Sequence, residues 1–189
     1  PLGNVAFDPE IYKLCMQRMA LEAGIDLYMH SYLSACVAEQ GRIEHIVIEN
    51  KNGSEALASK VFIDATGDGD LAAMAGVPMQ ELSEMQPLSL CFVLEGVDVC
   101  TPLLRDCIHH DGRGGKPSAN AEIRAYLLDC VHQGKLRQFG GPWFNTLVYG
   151  GGIAVNVTRS AGNGADRESM TRAELQLRED MFTVVSLLK

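Results

Sequence analysis

The sequence contains no apolar run of the roughly 18 residues that a membrane-spanning helix needs, and no basic start followed by an apolar signal core at its N-terminus. Both absences predict a soluble protein of the cytoplasm with no membrane partner. A cluster of Lys and Arg interleaved with aromatics is also missing, and a formal charge of -8 creates no field that would attract a phosphate backbone. Nucleic acid is therefore excluded as an expected partner. The six cysteines, Cys15, Cys36, Cys91, Cys100, Cys107 and Cys130, include no C-x-x-C pair, so neither a zinc site nor a thioredoxin-like motif is indicated. Reduced, mostly buried thiols are expected instead. His109-His110-Asp111 has no second ligand pair at helical spacing, so no metal is predicted, and no Ser/His/Asp arrangement can be read from spacing. No catalytic residue can be assigned this way.

What is present is a 189-residue chain with 47% hydrophobic residues, enough apolar material for a real core. Asp8-Pro9-Glu10 reads as an N-cap, a first-turn proline and a dipole-matching acid, with Gly24 as the stop, which predicts a helix over 8–23. Its buried face should hold Tyr12, Met16, Met19, Ala20 and Ala23. Three β-like segments follow at 27–38, 42–49 and 56–65, separated by the turn signals Gln40-Gly41 and Asn50-Lys51-Asn52-Gly53. Connections this short favour antiparallel neighbours, and the last segment, ending Val61-Phe62-Ile63-Asp64-Ala65, reads as the most deeply buried.

The pattern changes after Gly76-Val77-Pro78, and a domain crossing is placed near Gln86-Pro87, dividing the chain into 1–86 and 87–189. Beyond it the sequence predicts a strand over 88–95 and a loop over 98–117 with a short helix near Leu103 to His109. A helix over 119–133 and strands near 138–149 and 153–159, flanking Gly150-Gly151-Gly152, come next. From Thr171 a capping-box spacing, Thr-Arg-Ala-Glu174, opens an amphipathic helix with Leu175, Met181, Phe182, Val185 and Leu188 on its apolar side. That helix meets no stop signal before Lys189, as at a boundary cut through a longer protein.

One motif carries chemistry. Val61 to Ala65 runs into Thr66-Gly67-Asp68-Gly69-Asp70-Leu71-Ala72, a strand entering a glycine turn and then a helix. Gly67-x-Gly69-x-x-Ala72 matches the dinucleotide fingerprint literally, where glycines let backbone N–H groups approach a pyrophosphate. Against a primary NAD site, Asp68 and Asp70 stand inside the turn, and no strand ending in Asp or Glu lies about 20 residues on.

Ala65-Thr66-Gly67-Asp68-Gly69-Asp70, preceded by a helix and a three-stranded meander, resembles a group of FAD-dependent oxidoreductases with a glutathione-reductase-like flavin domain. The resemblance extends to Phe7-Asp8-Pro9-Glu10, Val47-Ile48-Glu49-Asn50, Met85-Gln86-Pro87, Val155-Asn156-Val157-Thr158-Arg159 and Thr171-Arg172-Ala173-Glu174. It implies an α/β protein, α+β overall: residues 1–86 as the second part of a Rossmann-like FAD-binding domain with its β-meander, and 87–189 as part of a β-rich substrate domain. It further implies FAD contacts from Ala65, Thr66, Gly67 and Asp68, and a backbone contact to the adenine near Leu33. Such enzymes begin with a strand, a Gly-x-Gly-x-x-Gly turn and a helix that hold the pyrophosphate, and no such segment precedes Pro1. The chain is thus expected to be the central part of a parent flavoenzyme acting on a small molecule, inactive alone, not retaining FAD, and prone to self-association through an exposed sheet edge.

Asn156 and Arg159, three apart near the end of an apolar strand, are candidates to hold substrate, the guanidinium forking onto a carboxylate. A surface or interdomain ion pair is the competing reading for Arg159. Trp143-Phe144 beside Gly140-Gly141-Pro142 could line an aromatic pocket or pack under a loop. Two functional alternatives stay open: a non-catalytic α/β binding or interaction domain whose glycine turn only caps a helix, and an NAD-binding protein using Gly67-x-Gly69-x-x-Ala72 directly.

Overall fold

The computed structural model describes residues 7–80, 85–101, 104, 121–146 and 151–189. Its elements in chain order are α1 (Pro9–Glu22), β1 (Tyr32–Glu39), β2 (Arg42–Asn50), β3 (Gly53–Leu57), α2 (Asp70–Met74), β4 (Phe92–Glu95), α3 (Ala121–His132), β5 (Phe139–Thr146), β6 (Gly152–Thr158) and α4 (Arg167–Leu188). Helices and two three-stranded antiparallel sheets make it a mixed α/β chain. Two compact units result, one spanning Gln17–Met85 and the other Pro1–Met16 with Gln86–Lys189, and the division falls within α1. None of the described helices is long and apolar enough to cross a membrane.

Asp8 caps α1 as its sequence predicts, Oδ1 accepting from the N–H groups of Glu10 (2.8 Å) and Ile11 (3.2 Å). The expected burial of one face does not occur: α1 has no buried residue, and Tyr12, Met16 and Met19 are all exposed. Periodicity marks a face able to bury, but a face buries only where another element covers it.

In the Gln17–Met85 unit, the meander pairs in the order β1-β2-β3, with Leu33 opposite Ile48 and Val47 opposite Ala56. Both turns form where the sequence places them. Gln40 and Gly41 take positive φ of 49° and 78°, while Asn50 Oδ1 accepts from the Asn52 N–H at 2.7 Å and Gly53 adopts φ 103°. Strand β1 starts at Tyr32 rather than near residue 27. The short α2 packs on β1, and Ile48 and Leu71 are the buried hydrophobics of this unit among the described residues. The third expected strand is corrected more sharply: β3 ends at Leu57, and 58–65 carries no strand pairing. Val61 and Ile63 are 72% and 85% exposed. Among the described residues no strand lies beside this segment, so its backbone has no ladder to join; Phe62 is half-buried while Val61 and Ile63 stay in solvent.

The second unit has a larger core. Its sheet order is β4-β6-β5, with Val93 opposite Ala154 and Phe144 opposite Val155. Central strand β6 alternates: Ile153, Val155 and Val157 are at most 2% exposed and face Leu127 of α3 and Val184 of α4 in one cluster. Strand β4 is shorter than the expected 88–95, because Leu88 joins Ser160 only through an isolated bridge. Leu104 is helical, while the rest of the helix expected over 103–109 and the 147–150 part of the glycine turn lie outside the described residues.

Helix α4 opens earlier than Thr171. Asp166 is its N-cap, Oδ2 accepting from the Ser169 N–H at 2.6 Å, and Thr171 Oγ1 instead donates back to the Arg167 carbonyl at 2.8 Å. Its buried stripe is Ala173, Leu177, Asp180 and Val184, whereas Leu175 and Phe182 point to solvent. Asp180 is tolerated inside because Arg137 Nη1 donates to its Oδ1 at 2.6 Å and Gln176 reaches Oδ2 at 3.4 Å. The thiols of Cys15, Cys36, Cys91, Cys100 and Cys130 are free; Cys107 lies outside the described residues. Of these five only Cys130 is buried, so the expectation of mostly buried thiols fails: sequence spacing carries no information on what packs over a thiol.

Candidate functional site

The glycine turn is built around a residue that sequence reasoning passed over. Asp64 Oδ1 accepts from the Thr66 N–H (3.0 Å) and hydroxyl (2.7 Å), and its Oδ2 accepts from the Ala72 N–H (2.9 Å) in the first turn of α2. Thr66 Oγ1 accepts in turn from the Asp70 N–H at 2.9 Å. One carboxylate thus ties the entry of the turn to the helix that leaves it, in place of a side-chain cap at Gly69, whose φ is 77°. The Asp64-x-Thr66 spacing of an Asx-type turn was the signal available in the sequence.

Thr66, followed by the Ala72 amide, holds the Asp64 carboxyl below the usual carboxylate range. A depressed folded-state pKa adds stability above the unfolded value of about 3.9, and that stability is lost as pH falls through the folded value. Thermal unfolding should therefore show a smaller drop for Asp64→Asn than for wild type between about pH 5 and about pH 2. Parallel pH profiles would remove this role for Asp64.

Ala65, Thr66, Gly67 and Asp68 are all exposed. Gly67 adopts φ 96°, and a Cβ built on it would meet nothing within 4 Å. Among the described residues the N–H groups of Gly67 and Asp68 have no protein acceptor, so the turn offers two donors and a bare backbone surface. The donors of α2 are spoken for: Asp70 N–H and Ala72 N–H already serve Thr66 and Asp64. A dinucleotide fingerprint needs those helix amides free for the diphosphate, and α2 has only 5 residues, so the NAD reading loses its physical basis. Leu33, on β1, is half-buried. A hollow of about 310 Å³ opens elsewhere in this unit, lined by residues including Tyr28, Met29, His30 and Lys51. Its Asn50 and Glu55 side chains bond to each other at 2.7 Å.

The other candidates gather in the second unit. Arg159 Nη1 donates to Ser89 Oγ (2.6 Å), Asn156 Oδ1 (2.8 Å) and the Thr158 carbonyl (2.6 Å), and Ser89 Oγ donates to the same Asn156 oxygen at 2.8 Å. Trp143 pairs with Asn156 across β5 and β6, and the Arg159 guanidinium lies 5.1 Å from its ring centroid. Arg159 and Asn156 are thus brought together, and among the described residues Arg159 has no carboxylate partner. Trp143 is half exposed and Phe144 buried, so the two adjacent aromatics divide between a surface and the core. His109, His110 and Asp111 lie outside the described residues, and the described residues contain no group of three His, Cys, Asp or Glu able to hold a metal.

The family model described as FAD dependent oxidoreductase matches residues 2–189. The chain belongs to the FAD-dependent oxidoreductase family. No curated protein and no solved structure matches it. The family implies FAD, and the exposed turn fits such a group: among the described residues the amides at Gly67 and Asp68 are free, and open space over Gly67 suits close approach of a flat ring system to backbone.

Proposed function

We propose that this chain supplies the cofactor-facing turn and a substrate-facing sheet of a flavin-dependent oxidoreductase acting on a small molecule. The observation that carries the reading is the exposed turn at Ala65–Asp68, braced from beneath by Asp64, with unused amides at Gly67 and Asp68. When bound, FAD supplies the hydride or electron chemistry. The chain's own residues position: Ala65, Thr66, Gly67 and Asp68 meet the cofactor, with Leu33 reaching it through backbone from β1. Arg159, steadied by Asn156, orients substrate. In this reading 1–86 belongs to a Rossmann-like, glutathione-reductase-like flavin domain and 87–189 to the substrate domain. The pyrophosphate-binding segment comes from outside these 189 residues, and the chain alone does not turn over. The free thiols among the described residues suit a reducing cytoplasm, and the edges of β1 and β3, unpaired among the described residues, are the route to self-association.

The test is Gly67→Val in the protein carrying its pyrophosphate-binding segment. A β-branched residue at φ 96° forces the turn to reshape, at a cost of about 1–2 kcal/mol, so FAD should bind roughly tenfold more weakly. An unchanged FAD dissociation constant by flavin fluorescence titration would refute the assignment of the turn.

A further inference from the structure

Two guanidiniums attach to one short stretch of β5. Arg124, from α3, donates Nη1 to the Gly141 carbonyl and lies 5.5 Å from the Phe139 ring centroid. Arg159, just beyond β6, lies over Trp143 as described. Neither cation has a carboxylate within ion-pair distance among the described residues, although the chain carries 24 acidic against 16 basic side chains. Their positions are defined rather than loose. Arg159 is tethered through Nη1 alone, leaving Nε and Nη2 without a protein acceptor among the described residues. It also lies against Gly140 on the Nε and Nη2 side: a Cβ built on Gly140 would meet Nε first, then Cζ at 2.6 Å and Nη2 at 2.7 Å, so only glycine leaves that side of the guanidinium clear.

We propose that Arg159 and Arg124, on the Phe139–Trp143 segment, form a binding site for a carboxylate borne on an apolar or aromatic body, with Gly140 as the residue that positions Arg159. The inference rests on the assignment of Arg159 to substrate. The unused Nε and Nη2 form a planar fork that matches two coplanar carboxylate oxygens, and Arg124 adds a second positive charge beside the same strand. Half-exposed Trp143 gives the organic body of the ligand an apolar surface, which a bare phosphate would not use. Ser89 and Asn156 hold Nη1, and the missing side chain of Gly140 keeps the Nε and Nη2 edge from being covered.

Trp143 is the only tryptophan in the chain, so its emission reports on this site alone. Titration of the whole chain with benzoate, excited at the red edge of tryptophan absorption, should give a saturable change; benzylamine should give none, and inorganic phosphate should bind at least about tenfold more weakly than benzoate. Arg159→Gln should abolish the saturable change. Arg159→Lys, which keeps the charge and loses the fork, and Arg124→Gln should each weaken benzoate by about tenfold or more. Gly140→Ala should shift Trp143 emission before any ligand is added and weaken benzoate to a similar degree. Circular dichroism would establish that each variant is folded. No saturable response to benzoate, an equal response in folded Arg159→Gln or Arg159→Lys, or binding of phosphate or benzylamine as tight as benzoate would overturn the proposal. No flavin takes part, so failure here leaves the cofactor assignment standing, and failure of Gly67→Val leaves this one standing.

Discussion

The purified 189-residue chain is expected to leave a desalting column colourless, without flavin absorbance bands, even after incubation with FAD. In the Rossmann-like flavin domain proposed above, the pyrophosphate would lie on a helix N-terminus, where oriented N–H groups and the helix dipole act together. The glycine turn cannot take over that task, because Thr66 and Asp64 already accept from the Asp70 and Ala72 amides, and Asp68 and Asp70 bring negative charge next to any diphosphate. What remains is a pair of amides at Gly67 and Asp68 and open backbone surface. Each missing charge-assisted hydrogen bond is worth roughly 1.5–3 kcal/mol, so the loss of several lowers affinity by orders of magnitude. Titration calorimetry should register no FAD binding in the micromolar range. A yellow protein whose flavin bands survive desalting would mean that other residues of this chain hold the cofactor.

Leu127→Ala should be strongly destabilising in the second unit. Leu127 is fully buried, in the cluster where α3 and α4 cover β6. Deleting its side chain removes transfer energy and leaves a cavity between elements that cannot fully collapse, a loss of about 2–5 kcal/mol. Against a total of about 5–15 kcal/mol for an ordinary domain, that is a large share. Because Leu127 lies on the covered side of the sheet and Trp143 is on the exposed one, benzoate affinity measured well below the melting temperature should stay near the wild-type value. Chemical denaturation checks the first part and Trp143 emission the second. A midpoint unchanged from wild type would show that this cluster is not what stabilises the unit.

The features legible in the sequence are those decided within a few residues. Asp8 capping α1, the Gln40-Gly41 turn and the Asn50–Gly53 turn each depend on local side-chain hydrogen bonds or on positive φ, and all are found where their residues stand. The turn at Ala65–Asp68 was visible for the same reason. Features decided by distant neighbours were not. Val61 and Ile63 have the composition of a buried strand but no partner within the described residues. On α4, residue type singled out Leu175 and Phe182, while the buried stripe includes Ala173 and the charged Asp180, acceptable only because Arg137 comes from 43 positions away. Asp64 was missed because its role appears only once Ala72, eight residues on, is seen to turn back toward it. In Arg159 and Asn156 the sequence named two members of a cluster, but Ser89 and Gly140 join it from elsewhere in the chain.

The place of β6 between β4 and β5 also sets the order in which the second sheet is assembled. Strands β5 and β6 are close in sequence and can close as a hairpin, whereas β4 must wait for β6 across residues 96–151. Loop-closure entropy makes the longer link costlier by roughly 2 kcal/mol, so the hairpin nucleates and β4 docks last. On the ribosome β4 emerges well before its only partner among the described strands, and it stays an unpaired edge until synthesis has passed Thr158. During that interval β4 is open to wrong pairing.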